Sequence, residues 1–377
     1  MKQDFSIWEY EAYHTHWDVC IIGGGITGLS TGISILERRP HTKVLVIDRW
    51  FIPLGASTRN AGFASFGSPS EILDDIRTMG EQASVSLISK RWKGLQKLKS
   101  RINLSTAQFE VNGGYELYHK DEFEQIAESL PYLNKILKDA IEYEDVFRPI
   151  EIPEGIKGFT HAIFNPHEGQ LHPGCMMEHL KYLYLALGGK LWTGLDVEAI
   201  EETSEGVFLN NKLAIPVKAD KVVVTINAFA QRLLPDIDVH GARNHVLVTG
   251  PIEGLKWKGC YHFDKGYYYF RNIGNRILLG GGRNKDLINE ETDQFGSNPL
   301  IVSALEEFLY THLTSREMGK IEFQWSGIIG IGTMKSPIIK PVSSRMYVGV
   351  RLSGMGIALA SLIGEELADM ILQQEEG

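Results

Sequence analysis

Apolar and polar positions along this chain fall into a few recurring arrangements. Two short apolar runs, Asp18–Gly23 and Lys43–Asp48, read as buried parallel strands. Between them Leu29, Ile33 and Leu36 recur at helical spacing from Ile26 to Arg39, and Pro40 ends the pattern. Strand, helix and strand within about 30 residues predict a βαβ unit. Ser68-Pro69-Ser70-Glu71 reads as a capping box opening one helix, with Ile72, Ile76, Met79, Leu87, Trp92, Leu95 and Leu98 on a broad apolar face. Gln108–Val111 and Gly113–Tyr118 read as strands, an acidic helix follows over 120–138, and Pro173 starts a helix to about residue 187. Lys221–Thr225 is strand-like, 245–283 alternates as an antiparallel sheet does, Arg345–Val350 is a strand, and a final helix runs from Met355 to Leu372. Parallel elements at both ends around an antiparallel centre predict an α/β (α+β) chain, a Rossmann-like nucleotide-binding domain with an inserted antiparallel-sheet domain. The expected division gives 1–100, 150–235 and 325–377 to the first domain, and 101–149 and 236–324 to the second.

Composition narrows the class of protein. A length of 377 residues suits two domains, and 43% hydrophobic with 23% charged residues is a globular composition. The formal net charge of −9 argues against a general nucleic-acid binder, because an acidic surface repels phosphate backbones. Cys20, Cys175 and Cys260 are widely spaced and odd in number, so reduced thiols are expected. The polar first ten residues lack the apolar core of a leader, and no uncharged run of 18 apolar residues occurs. The expectation is a cytoplasmic protein with no transmembrane segment.

Candidate chemistry begins at Gly23-Gly24-Gly25-Ile26-Thr27-Gly28, directly after the first strand and opening the first helix. In GxGxxG, Gly23 makes the tight turn, Gly25 admits a pyrophosphate to the backbone, and Gly28 lets helix and strand approach. The helix start offers N–H groups and positive dipole to phosphates. Asp48 closes the second strand, placed for a ribose hydroxyl. These features together predict dinucleotide binding without saying which dinucleotide. The loop Pro53–Gly62 is rich in small residues and could line an extended cofactor.

The motifs GGGITGLSTG with VID48, the loop GASTRNAG, and Gly354-Met-Gly-Ile-Ala-Leu-Ala360 resemble the FAD-dependent D-amino acid oxidase superfamily, which includes glycine, sarcosine and γ-glutamylputrescine oxidases. Further similarity runs through Gly169–Gly174, Val222–Ala228, Arg271–Gly282 and Trp325-Ser-Gly327. The opening Ser6-Ile-Trp-Glu and the GASTRNAG loop look nearest to the γ-glutamylputrescine oxidase branch.

That resemblance implies non-covalent FAD and oxidation of a C–N bond in a small amine or amino acid, with oxygen or a quinone taking the electrons. It places Gly23, Gly25, Ile26, Thr27, Gly28, Asp48 and Arg49 at the ADP half. Ser57, Thr58, Arg59, Asn60, Ala61 and Gly62 would run towards the flavin. Val197, Thr225, Asn227, Ala228 and Gly327 would pack beside the cofactor, and Gly354, Met355, Gly356 and Ile357 against the flavin pyrimidine edge. Substrate-side candidates are Tyr267, Tyr269 and Arg271, which strand alternation sets on one face as a possible carboxylate clamp, with His245 and Trp325 beside them. A dehydrogenase or a flavin-binding redox sensor without turnover would carry the same cofactor motifs.

Three positions depart from the family pattern. Ile329 stands where glycine oxidases carry a carboxylate-binding arginine, Leu278 where sarcosine oxidases carry a lysine that assists oxygen, and no cysteine near Met334 offers a covalent flavin link. His172, Cys175 and His179 have metal-like spacing but lack a fourth ligand, so no metal is expected. The basic stretch Lys90–Arg101 reads as a solvated helix face over an apolar side.

Overall fold

The structure, a computed structural model, describes residues 6–13 and 16–373. Residues 1–5, half of the polar opening stretch, lie outside the described residues, as do the chain ends of the expected division. Two eight-stranded sheets organise the rest. In the first, the order is Ile338–Pro341, Met346–Val350, Lys218–Val224, Trp17–Ile22, Val44–Asp48, Lys190–Thr193. The four central pairings are parallel, with Ile21 beside both Val46 and Val223. Strands Gly206–Asn211 and Val197–Thr203 extend it by antiparallel pairing.

Continuous apolar strands are needed because both faces of this sheet are buried. Ile21 and Val46 pack beneath Leu29 and Ile33 of the helix Ile26–Arg38 and Ile363 of the final helix Gly356–Gln373. Cys20, Ile22, Leu45 and Ile47 face the other way, among Val222, Val224 and Leu209.

The second sheet runs Ile321–Ile331, His240–Thr249, Arg276–Gly281, Tyr268–Ile273, Cys260–Phe263, Gly114–Tyr118, His161–Asn165, Arg148–Ile150. Every pairing is antiparallel except Cys260–Phe263 with Gly114–Tyr118. One face is an aromatic core under the helix Pro299–Phe308, where Tyr268 stacks on Phe308 and Phe270 on Tyr261, both at 4.8 Å. The opposite face turns Tyr269, Leu278, Val246 and Val248 towards Ala61 of the loop after the βαβ unit. A space between that loop and this face is the cavity described below.

Two sequence expectations change. The helix expected from Ser68 onward is two helices, Pro69–Met79 and Glu81–Arg101. Gly80 divides them with φ of +85°, a conformation most L residues resist. The strand expected at Gln108–Val111 is a single bridge between Glu110 and Gln170, since Gln108 at φ +51° turns the chain. Other elements fall within a few residues of the expected bounds, the final helix starting at Gly356. Along Lys90–Arg101 the basic side chains mostly reach protein partners: Lys90 meets Glu366 at 2.9 Å, Lys97 meets Glu365 at 2.6 Å, and Arg101 meets Glu37 at 3.0 Å. No described helix is long and apolar enough to cross a membrane.

Candidate active site

The end of the first strand, the start of its helix and the end of the second strand form one corner of a cavity of about 630 Å³. Gly28 explains why these elements come so close. A Cβ there would sit 1.9 Å from the Gly23 carbonyl oxygen, so any side chain would push helix from strand. Gly25, the extended residue before the helix, provides no side-chain cap, and the Ile26 N–H donates to Ser57 Oγ at 3.1 Å. Asp48 Oδ2 accepts from the Gly24 N–H at 2.8 Å and Oδ1 from the Trp50 N–H at 3.0 Å. Burial raises its carboxyl above the ordinary aspartate range, while these two donors and Arg49 pull it back. Arg49 is sandwiched between Trp50 and Phe229, 3.9 and 4.0 Å from the ring centres.

The loop from Ser57 to Gly62 forms the floor. Asn60 ties it together, donating to the Ala56 and Ser57 carbonyls at 2.9 Å and accepting from the Gly62 N–H at 2.8 Å. Thr225 closes the corner by donating its hydroxyl to the Ile22 carbonyl at 3.0 Å. Asn227 works as a clasp, its Oδ1 accepting from the Arg351 N–H at 2.9 Å and so holding the turn that leads to Gly354, Met355 and Gly356.

Most residues expected from the sequence line this one space: Gly23, Gly25, Ile26, Thr27, Asp48, Arg49, Ser57, Arg59, Asn60, Ala61, Gly62, Val197, Thr225, Asn227, Ala228, Gly327, Gly354, Met355, Gly356 and Ile357, with Tyr267 and Tyr269 opposite. Gly28 lies behind the wall as a packing residue. Thr58 also turns inward, its hydroxyl donating to the Pro53 carbonyl at 2.7 Å.

Three substrate-side candidates lie off the cavity wall. His245 faces the other side of its strand and pairs with buried Glu290 at 2.9 Å, while its neighbours Asn244 and Val246 line the space. Trp325 packs with the Leu278 cluster and donates its indole N–H to the Arg59 carbonyl at 3.0 Å. Arg271 sits behind Gly62, where a Cβ would lie 2.9 Å from its Nη2; it is 5% exposed, and its Nε has no hydrogen-bond partner among the described residues. Alternation sets Tyr269 and Arg271 on the same face of the strand, but the loop carrying Gly62 comes between Arg271 and the cavity.

Of the departures, Ile329 does line the cavity, whereas Leu278 is buried at 2% exposure among Ala61, Val246 and Val248. His172, read as a metal decoy, serves its helix, its Nδ1 accepting from the Cys175 N–H at 3.2 Å.

Lys335, which the sequence offers beside Arg271 as a cation that could face the flavin, lines the cavity; Glu71, Asp74, His262, Lys265 and Arg283 also line it and escaped the sequence reading as site residues. Burial holds His262 below the usual imidazole range, and its Nε2, itself buried, has no hydrogen-bond partner among the described residues. Burial pushes the Tyr269 phenol up to about 12, so it is protonated at neutral pH.

Behind this wall two buried carboxylates hold the segment 66–70. Glu168 accepts from the Phe66 and Gly67 N–H groups at 2.9 and 3.3 Å, and Glu116 accepts from the Ser70 N–H at 3.0 Å. Burial pushes Glu168 up to about 8 and Glu116 up to about 6.

A glycine cradle at an uncapped helix start, beside an acid ending the second strand, fits the pyrophosphate and ribose of a dinucleotide. Comparison with known families decides which group of proteins this is. The model of FAD-dependent oxidoreductases termed DAO matches residues 18–370. The chain belongs to the DAO family of FAD-dependent oxidoreductases. Within the family it is 24% identical to a probable oxidoreductase, OrdL, of Haemophilus influenzae, covering 96% of this chain and 84% of that one. It is 25% identical to glycine oxidase of Geobacillus kaustophilus, over 96% of this chain and 94% of the relative. Gamma-glutamylputrescine oxidoreductase of Escherichia coli is 22% identical over 94% of this chain and 83% of its own length. The crystal structure of the Geobacillus glycine oxidase superposes with a TM-score of 0.76, at 20% identity over 95% of each chain, which places the mixed α/β fold with that of glycine oxidase.

Proposed function

We propose that this DAO-family protein oxidises a CH–NH bond of a small amine or amino acid, using FAD held without a covalent link. The observation that carries the reading is the continuity of the cavity, from the glycine cradle and Asp48 to a wall bearing Tyr267 and Tyr269. Bound FAD would supply the acceptor for a hydride leaving the carbon beside a neutral amine.

The chain's own residues supply position and environment. Gly23, Gly25 and Asp48 would hold the ADP half, with Arg49 and Val197 beside it. Ser57 to Gly62, with Thr225, Asn227 and Ala228, would hold the part of FAD between there and the flavin. At Gly354–Ile357 the start of the final helix would offer N–H groups and positive dipole to a bound flavin. Met355 and Ile329 form an apolar part of the wall that excludes water. His262, held neutral by burial, lines the cavity, and its imidazole is the group we assign to take a proton from a substrate ammonium.

No cysteine lines the cavity among the described residues, which supports the non-covalent link. Within the same proposal the first sheet and its helices form the cofactor unit and the second sheet the substrate unit, and the free thiols support a cytoplasmic location. The experiment is an anaerobic screen of amines, N-methyl amino acids and D-amino acids, following loss of the oxidised flavin spectrum. Bleaching by one class is the expected result. A yellow protein inert to all of them would make it a redox sensor instead, and colour that stays with the acid-precipitated pellet would show a covalent link.

A further inference from the structure

The basic side chains on the cavity wall differ sharply in what they already bind. Arg59 donates to the Ser326 carbonyl at 2.8 Å and lies 4.4 Å over Phe295. Arg232 pairs with Asp293 at 2.6 Å, Lys335 pairs with buried Asp75, and Lys265 lies 3.9 Å from Asp74. Arg49 is enclosed by two aromatic rings at the Asp48 end. Arg283 alone among the wall cations described at the hairpin end has neither an ion pair nor a hydrogen bond from its guanidinium, although it is half-buried.

Its backbone is fixed from both sides. After the strand Arg276–Gly281 the chain swings outward through Gly281 and Gly282, at φ +111° and +72°, and a Cβ on Gly281 would lie 1.9 Å from the Tyr267 carbonyl oxygen. The Gly282 N–H donates to that same carbonyl at 2.7 Å, and Asn284 donates to Asp264 Oδ2 at 2.9 Å. The turn carrying Arg283 is therefore pinned to the hairpin that carries Tyr267 and Tyr269. Arg283 acts electrostatically on the Tyr269 phenol, whose hydroxyl also has no partner among the described residues. A guanidinium whose donors are free on the wall of a cavity is available to an anionic ligand that enters it.

We infer that Arg283, with the Tyr269 hydroxyl beside it, anchors a carboxylate of the substrate. This rests on the oxidoreductase reading and specifies it. A guanidinium meets the two carboxylate oxygens with a planar fork. Ile329, on the strand Ile321–Ile331, cannot do so, which shifts the anchor to the turn after Gly282. The substrate class is an amine whose carboxylate is separated from the oxidised carbon by a chain, rather than an α-amino acid.

The test uses the FAD-loaded protein and straight-chain ω-amino acids from glycine to 6-aminohexanoate, each beside the alkylamine of equal length. Rates of anaerobic flavin bleaching are compared for wild type, Arg283→Gln and Arg283→Lys, and glutarate binding to the oxidised protein is followed by calorimetry. A charge-assisted pair predicts that wild type prefers one of the longer amino acids over its alkylamine by roughly ten- to a hundredfold. Arg283→Gln should lose that preference through KM and lose glutarate binding, with flavin content intact; Arg283→Lys should restore part of both. A preference and a glutarate affinity that survive Arg283→Gln would overturn the inference, as would a wild type that favours glycine or shows no preference. If no amine bleaches the flavin, the oxidoreductase reading fails, while glutarate binding that depends on Arg283 still upholds the anchor and its loss of dependence still overturns it.

Discussion

At the Asp48 end of the cavity the protein builds its wall from backbone. Gly23, Gly25 and Gly28 bring main-chain atoms together, and Asp48 accepts from the Gly24 and Trp50 N–H groups as well as facing the space. At the hairpin end the wall is built from side chains: Tyr267, Tyr269, His262 and Arg283 project from strands and turns whose backbone bonds already satisfy one another. The difference teaches where each end can vary. A backbone wall fixes residue types, because a single added methyl collides, whereas a side-chain wall can change ligand by exchanging one projection while the sheet stays as it is.

Substitution at the backbone end should have the largest effect. Gly28→Val drives side-chain atoms into the Gly23 carbonyl, so loss of flavin is expected together with a fall in Tm on the order of 5 °C or more. Normal flavin content and an unchanged melting curve would break the comparison. A second contrast sets Asp48→Ala against Tyr269→Phe. Removing the carboxylate should weaken FAD binding about ten- to a hundredfold in a titration of apoprotein, whereas removing the unpartnered hydroxyl should leave it within about twofold. Equal losses in the two variants would show that both ends hold the cofactor alike.

A third contrast concerns pH and the support behind the side-chain wall. Glu168 is raised in the folded protein from its ordinary 4.5 to about 8, so the folded state holds this proton more tightly than the unfolded chain. Its contribution is complete below about pH 4.5 and falls as pH rises towards 8, by at most about 1.4 kcal/mol per pH unit. Glu168→Gln, which never ionises, should flatten that part of the stability–pH curve in urea unfolding while leaving FAD affinity unchanged. A slope identical to wild type would remove the carboxyl from this role.

The same contrast explains what could be read from the sequence. The βαβ unit, Asp48 and the Gly354–Ile357 turn were legible because their geometry demands particular residue types at fixed local spacing. Alternation correctly sets Tyr269 on the cavity face of its strand, but it could not show that the Gly62 loop covers Arg271. His245 looked available because its partner Glu290 lies 45 residues further along. Arg283 carried one faint signal, the three glycines Gly280, Gly281 and Gly282 before it, which mark an abrupt change of direction without saying what it serves. Gly80, inside an otherwise helical pattern, was the sign of a break, and the apolar face on either side of it concealed that.

Glu116 and Glu168 bear on how the molecule assembles. Within the βαβ unit, the Lys43 N–H and the Asp18 carboxylate that accepts from it are 25 residues apart, a modest loop to close. Segment 66–70 finds its acceptors 46 residues away at Glu116 and 102 away at Glu168. Longer loops carry a larger entropic cost of closure and slow the search for native contacts. The glycine turn and Asp48 can therefore take shape while the neighbouring wall still lacks its clamps, whereas Thr225, which closes the corner on Ile22 from 203 residues away, joins them only over a longer loop still.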